Sequence, residues 1–179
     1  REPNYSYVTA RLLMDNIRAE ALGFLGIAQS ATPHEMADLY AKALPAYVDK
    51  GVEFELLDPK LKGYDLAKLG AALNHERDQQ FTYLGLQTLF DRYFIHKDGI
   101  RFELPQVFFM RVAMGLAIEE PKNREDRAIE FYNLLSSFDY MASTPTLFNA
   151  GTLRPQLSSC YLTTVPDDLD GIYDSIRDN

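Results

Sequence analysis

The 179-residue sequence has one cysteine, no tryptophan and no apolar run close to the roughly 20 residues of a membrane-spanning helix. One cysteine excludes an internal disulfide framework and favours a reducing compartment, so we expect a cytoplasmic protein that does not bind membranes. Basic residues are also scarce: the sequence has 18 Lys and Arg but 26 Asp and Glu, which gives a net charge of −8. Such a surface repels nucleic-acid polymers, but a small phosphorylated ligand needs only a few local donors.

The composition is that of a globular chain, with 46% apolar and 25% charged residues. A mass of 20.4 kDa corresponds to one domain, or to one domain and a piece of another. A helical pattern already follows Arg1-Glu2-Pro3, and residues 168–179 read as a helix without a stop signal. We therefore expect a segment of a longer protein, with a frayed C-terminal helix as the alternative.

The spacing of apolar residues predicts a mainly α-helical region that reaches about Tyr140. The predicted helices cover residues 5–22, 32–51, 65–73, 78–90, 105–116 and 123–140. Thr32 and Glu35 have the spacing of a capping box, and Pro45 is expected to kink or shorten the second helix. Asp98-Gly99 is typical of a tight turn, which predicts one β-hairpin over residues 93–102.

The pattern changes after Tyr140. Residues 143–155 are rich in Thr, Pro, Ser, Gly and Asn, which predicts a loop. Residues 157–163 resemble a short strand, and a helix follows Pro166 with an aspartate as its N-cap. A strand followed by a helix is typical of the start of a βα layer.

Cys160 has two interpretations on this evidence. Cysteine is among the most buried residue types, so a core position is the simple one. However, Ser158 and Ser159 make the strand polar, and the preceding loop offers the hydroxyls of Thr144 and Thr146. Small polar side chains of this kind are typical of a phosphate or sugar site. The three histidines lie at no metal-ligand spacing, and we expect no metal site.

Two sequence blocks resemble the large, catalytic subunit of class I ribonucleotide reductase. They are STPTLFNAGT over residues 143–152 and PQLSSCYL over residues 155–162, and NYSYVTARLL over 4–13 and VPDDLDGIY over 165–173 extend the resemblance. It implies a helical N-terminal domain over residues 1–142 that carries the small hairpin. It also implies that residues 143–179 are the first strand and helix of the ten-stranded α/β barrel.

The resemblance implies a reaction that replaces the ribose 2′-hydroxyl by hydrogen through thiyl-radical chemistry. Cys160 resembles the first member of the redox-active cysteine pair that supplies the reducing equivalents. Ser159 resembles the residue that contacts the substrate ribose or phosphate, and Thr144 resembles the threonine that helps to hold the phosphates.

The acidic run after the strand has a separate implied role. Asp167 resembles the acid that binds the effector nucleotide, with Asp168 and Leu169 beside it. In this family the effector site lies at a dimer interface. Without the resemblance, this run reads only as a solvated helix start, in which an aspartate can also accept a hydrogen bond from a ribose hydroxyl.

The resemblance also implies the partners of the full enzyme. These are a ribonucleoside diphosphate substrate, a dNTP or ATP effector, a metal-containing small subunit that supplies the radical, thioredoxin or glutaredoxin as reductant, and a second copy in a homodimer. We expect no cofactor in this segment and no activity from it alone. Two alternatives stay open: a cobalamin-dependent ribonucleotide reductase, and a non-catalytic helical interaction module with Cys160 in its core.

Overall fold

Helices and one hairpin account for the regular structure of residues 4–178, the part of the chain that the computed structural model describes. The helices are α1 Tyr5–Leu25, α2 Met36–Glu53, α3 Leu66–Ala71, α4 Tyr83–Thr88, α5 Pro105–Leu116, α6 Arg124–Ser136, α7 Thr144–Asn149 and α8 Leu169–Arg177. The antiparallel strands are β1 His96–Lys97 and β2 Ile100–Arg101. The predicted mainly α fold with one hairpin is confirmed, while Arg1–Pro3 and Asn179 lie outside the described residues.

Helix α5 is the central helix of the core. It begins at Pro105, whose fixed φ suits the first helical position. Every residue from Pro105 to Met114 is buried, so the helix has no solvent-exposed side over that length. A helix that is buried all round lies inside a domain, and α5 packs against α6 and α2.

Helix α2 begins with the predicted capping box. The backbone N–H of Thr32 donates to Glu35 Oε2 at 2.8 Å, and the N–H of Glu35 donates to Thr32 Oγ1 at 3.4 Å. The regular helix begins at Met36, just after the box, and continues through Pro45 to Glu53, beyond the predicted end at Gly51.

The predicted helix over residues 78–90 is wrong in its extent. The chain forms a 3₁₀-helix at His75–Gln80, then α4, then a π-helical turn at Leu89–Tyr93. Phe81 and Thr82 separate the first two pieces, because both have extended backbone. The hairpin turn follows the prediction, since Asp98 and Gly99 have φ values of 51° and 83°.

Two predictions after Tyr140 are wrong. The expected loop contains α7, which has a proline in its first turn. The expected strand over residues 157–163 is irregular, and within residues 4–178 no strand lies beside it to pair with. Helix α8 begins as predicted, and Asp168 Oδ1 caps it by accepting a hydrogen bond from the N–H of Gly171 at 2.8 Å.

Candidate functional site

Backbone hydrogen bonds attach the segment after α7 to the helical domain. The N–H of Asp58 donates to Gly151 O at 3.1 Å, and the N–H of Leu153 donates to Leu56 O at 3.2 Å. Leu57 and Thr152 form an isolated antiparallel bridge between these bonds. The segment that carries the candidate site is therefore aligned with the turn that follows α2.

A pair of glycines lets the same segment lie directly on α5. A Cβ atom at Gly115 would lie 2.1 Å from the backbone nitrogen of Gly151, which no real structure tolerates. Gly151 has a φ of 76°, and a Cβ atom there would lie 2.8 Å from Arg111 O. Backbone therefore packs on backbone at this contact, and each position requires glycine.

A buried ion pair lies beneath α7. Arg111 Nε and Glu103 Oε1 are 2.8 Å apart, and both side chains are fully buried. Glu103 also accepts hydrogen bonds from the Tyr47 hydroxyl at 2.6 Å and from the N–H of Ile95 at 3.0 Å. Burial disfavours the charged guanidinium, but the nearby Glu103 and Tyr47 outweigh it and raise the pKa of Arg111.

The other side of the Arg111 guanidinium faces the end of α7. Its Nη1 donates to the carbonyl oxygens of Leu147 at 3.1 Å, Phe148 at 3.4 Å and Ala150 at 2.8 Å. Carbonyl groups at a helix C-terminus lack partners within the helix. One buried cation thus supplies donors to the carbonyls at the C-terminal end of α7.

Thr144 lies at the opposite, exposed end of α7. Its hydroxyl is 3.0 Å from the hydroxyl of Tyr93, and either group can donate. The Tyr93 ring stacks on Phe148, with centroids 4.7 Å apart. Tyr93 is the last residue of the π-helical turn, a feature that is frequent at functional sites. Sequence reasoning missed Tyr93, because nothing local links it to a residue so distant in the chain.

Side chains of α7 also direct the chain towards the predicted redox cysteine. Thr146 Oγ1 donates to Leu157 O at 3.4 Å, and Asn149 Nδ2 donates to Gln156 O at 2.7 Å. Leu157 packs against the core, whereas the residues after it are exposed. The part of the site that packs on the core therefore ends at Leu157.

Ser159 and Cys160 lie on this exposed, irregular stretch. The Ser159 hydroxyl and the Cys160 sulfur are 3.9 Å apart, and the thiol is exposed. The interpretation of Cys160 as a core cysteine is wrong for this structure. Within residues 4–178 no hydrogen bond joins Ser159 or Cys160 to Thr144, so the structure brings together only part of the predicted substrate site.

The predicted effector residues lie apart from α7. Asp167 is exposed, the carboxylate of Asp168 is used as the N-cap of α8, and Leu169 is 69% exposed. Leu169, Ile172, Tyr173 and Ile176 share one face of α8, and all are exposed. The described residues therefore leave an apolar helix face uncovered beside Asp167.

Comparisons with known proteins identify the family. The family model described as "Ribonucleotide reductase, all-alpha domain" matches residues 79–155. The chain is 48% identical over 179 residues to the ribonucleoside-diphosphate reductase subunit alpha of Chlamydia pneumoniae, and 39% identical over 178 residues to that of Helicobacter pylori. The chain belongs to the ribonucleotide reductase large-subunit family.

Relatives in this reductase family also occur in eukaryotes. The chain is 34% identical over 178 residues to the ribonucleoside-diphosphate reductase large chain of Schizosaccharomyces pombe. These three alignments cover 100%, 98% and 99% of this chain but only 17%, 21% and 21% of the relatives. The chain thus spans about a fifth or less of the length of these reductase subunits.

No group of three His, Cys, Asp or Glu side chains within residues 4–178 is arranged to hold a metal ion. Across the same residues, no helix combines the length and apolar character that crossing a bilayer requires.

Proposed function

We propose that the chain is the N-terminal part of a ribonucleoside-diphosphate reductase large subunit, which reduces ribonucleotides to deoxyribonucleotides by thiyl-radical chemistry. The observation that carries this proposal is the 48% identity across the whole chain to a protein named as that subunit. Residues 1–142 are the helical N-terminal domain, and residues 143–179 begin the catalytic α/β barrel. Neither the structure nor the relatives favour the cobalamin-dependent enzyme or a non-catalytic module.

In this proposal Cys160 is the first member of the reducing pair. Its thiol and a second thiol from outside the segment lose two electrons and two protons and become a disulfide. The ribose 2′-hydroxyl leaves as water and a hydrogen takes its place. The exposed position of the Cys160 sulfur supports this role, because a sulfur that exchanges disulfides must be reached by another thiol.

Thr144 and Ser159 contact the substrate in the same proposal. Both hydroxyls are exposed, and that of Thr144 is held in place by Tyr93. Hydroxyl groups suit a phosphate or a ribose because each can both donate and accept a hydrogen bond. The substrate in this proposal is a ribonucleoside diphosphate, which agrees with the names of the relatives.

Asp167, Asp168 and Leu169 form part of the site for a dNTP or ATP effector. Two features support this assignment. Asp168 is committed to capping α8, whereas the Asp167 carboxylate has no hydrogen-bond partner within residues 4–178 and can accept from a ribose hydroxyl. The uncovered apolar face of α8 fits a homodimer interface in the full protein.

The remaining partners of this proposal belong to the intact enzyme. A metal-containing small subunit generates the radical, and thioredoxin or glutaredoxin reduces the disulfide that turnover leaves. Both fit a cytoplasmic protein, because a redox-active thiol must be returned to its reduced state after each cycle.

The experiment that tests this function replaces Cys160 by Ser in the full-length large subunit. Serine is nearly the same size but cannot form a disulfide, so we expect turnover with thioredoxin as reductant to be abolished while the thermal unfolding temperature stays unchanged. Ser158→Ala, a change of similar size two residues away with no assigned role, is the control and keeps its activity. Normal turnover of Cys160→Ser would contradict the proposal.

A further inference from the structure

We propose that Arg111 is a positioning residue for substrate binding, because its buried guanidinium fixes α7 and thereby sets the place of Thr144. This inference rests on the proposed substrate role of Thr144. It assigns a function in binding to a residue whose side chain is fully buried.

Arg111 is held in one position within the core. Its side chain is fully buried, and Glu103 holds one edge of the guanidinium through Nε and Nη2, at 2.8 Å and 3.4 Å. Tyr47 and the N–H of Ile95 hold Glu103 in turn. A planar guanidinium fixed along one edge has its remaining donors aimed in set directions, and here they face α7.

Helix α7 depends on the donors of Arg111 for its C-terminal end. The carbonyls of Leu147, Phe148 and Ala150 all accept from Arg111 Nη1. The chain then turns at Gly151, which has a positive φ and where an added Cβ atom would lie 2.8 Å from Arg111 O. Helix α7 has only six residues and a single buried one, Leu147, so apolar packing alone holds it weakly.

A displacement at the C-terminal end of α7 reaches Thr144. Six helical residues span about 9 Å, which is too short for bending to absorb a shift. The Phe148 ring, in the same turn as the Arg111 contacts, stacks on Tyr93, and the Tyr93 hydroxyl meets Thr144. The two ends of α7 are therefore coupled through rigid groups.

The buried ion pair of Arg111 and Glu103 supplies fixed directions rather than extra stability. Replacing a buried ion pair by apolar residues of similar volume is often neutral or stabilising. Stability alone therefore does not call for Glu103 and Arg111 at this position. Fixed hydrogen-bond directions are what an apolar replacement cannot supply, and these are the directions that hold α7.

The test compares two tyrosines of α2 in the full-length subunit. Tyr47→Phe removes the 2.6 Å hydrogen bond to Glu103 and loosens the ion pair. Tyr40→Phe is the matched control, since Tyr40 is equally buried and donates at 2.8 Å to another buried carboxylate, Asp78, which does not contact α7. Arg111→Lys is a more severe variant, because lysine keeps the charge but lacks the planar array of donors.

Two quantities are measured in each protein: hydrogen exchange of the backbone amides over residues 144–153, and kcat and KM for CDP. For Tyr47→Phe and Arg111→Lys we expect faster exchange in this segment and a KM raised about tenfold with kcat little changed, because substrate is bound less well in the ground and transition states alike. Tyr40→Phe leaves segment exchange and KM unchanged. If Arg111→Lys does not fold, the two tyrosine variants decide the outcome.

The results separate this inference from the proposed function. Unchanged exchange over residues 144–153 in Tyr47→Phe would overturn the positioning role, and the substrate role of Thr144 would stand. Faster exchange with an unchanged KM would also overturn it. Thr144→Val then tests the substrate role directly, because that role predicts a raised KM whatever Arg111 does.

Discussion

Asp78 is a carboxylate buried among hydrogen-bond donors. Its Oδ2 accepts from the Tyr40 hydroxyl and its Oδ1 from Gln106 Nε2, both at 2.8 Å. Arg18 Nη2 lies 3.7 Å away. Burial nevertheless raises the pKa of Asp78 to about 6, because the loss of water around the charged form outweighs these three partners.

This shift predicts how pH changes the stability of the helical domain. An unfolded aspartate has a pKa of about 3.9, so between about pH 4 and pH 6 the folded state binds more protons than the unfolded state. Ionisation of Asp78 therefore lowers the unfolding free energy as pH rises through this window. Below the window the carboxyl is protonated and does not lower it. We expect the unfolding free energy of Asp78→Asn, relative to wild type, to rise by about 2 kcal/mol from pH 4 to pH 7.

Urea unfolding of the 179-residue chain at several pH values measures this difference. Tyr40→Phe is the companion variant, because it removes a hydrogen bond that lowers the pKa of Asp78 and so extends the window to higher pH. A difference between Asp78→Asn and wild type that is the same at pH 4 and pH 7 would refute the prediction.

Single residues were predictable from the sequence where the signal is local. The capping pair Thr32 and Glu35, the turn at Asp98-Gly99 and the N-cap Asp168 need only a few neighbouring residues, and all three form. The Arg111 contacts with Glu103 and α7, and the Tyr93 contact with Thr144, join distant parts of the chain. No periodicity in one sequence encodes them.

At the scale of the element, α7 is a helix that forms through tertiary contacts although its residues have a low intrinsic helix propensity. A short segment of Thr, Pro and Asn has little tendency to be helical, so sequence reasoning predicts a loop. The helix forms because Arg111 accommodates its last carbonyls and Gly115 lets it approach α5. By contrast, α5 has a strong apolar pattern and follows its prediction closely.

The contact between Gly115 and Gly151 predicts a severe effect of one methyl group. In Gly115→Ala the new Cβ meets backbone atoms that cannot turn aside, so we expect a loss of about 3 kcal/mol or more in unfolding free energy. Gly23→Ala is the matched control, since its nearest contact would be 4.0 Å away, within a helix where alanine is preferred.

Denaturant titration of the three proteins measures both effects. The control is expected to be neutral or more stable by up to about 1 kcal/mol. Equal stability of Gly115→Ala and wild type would show that the backbone of α7 can move away from α5.

The whole molecule consists of a well-packed helical region and an exposed C-terminal stretch. Residues up to Leu157 contribute to one core, whereas α8 has no buried residue. The sequence predicts α8 as a helix, and it also predicts a strand over residues 157–163 that is irregular in the structure. Local patterns specify helices, whereas a strand depends on pairing with another strand.

The apolar face of α8 predicts self-association of the 179-residue chain. Ile172 and Ile176 are 39% and 67% exposed on one face, which favours burial against a second copy. Sedimentation velocity is expected to show concentration-dependent association that Ile176→Glu abolishes. Leu84→Glu, at an apolar residue of α4 that is 72% exposed, leaves association unchanged. A wild-type chain that stays monomeric at high concentration would contradict the predicted self-association through α8.

The bridge between Leu57 and Thr152 has a consequence for anyone who transplants the Thr-Pro-Thr motif. A synthetic peptide of that stretch would not keep this conformation, because the conformation depends on pairing with a turn nearly a hundred positions earlier in the chain. A graft into another scaffold must bring along the partner turn, the glycine on the central helix and the buried arginine as one unit.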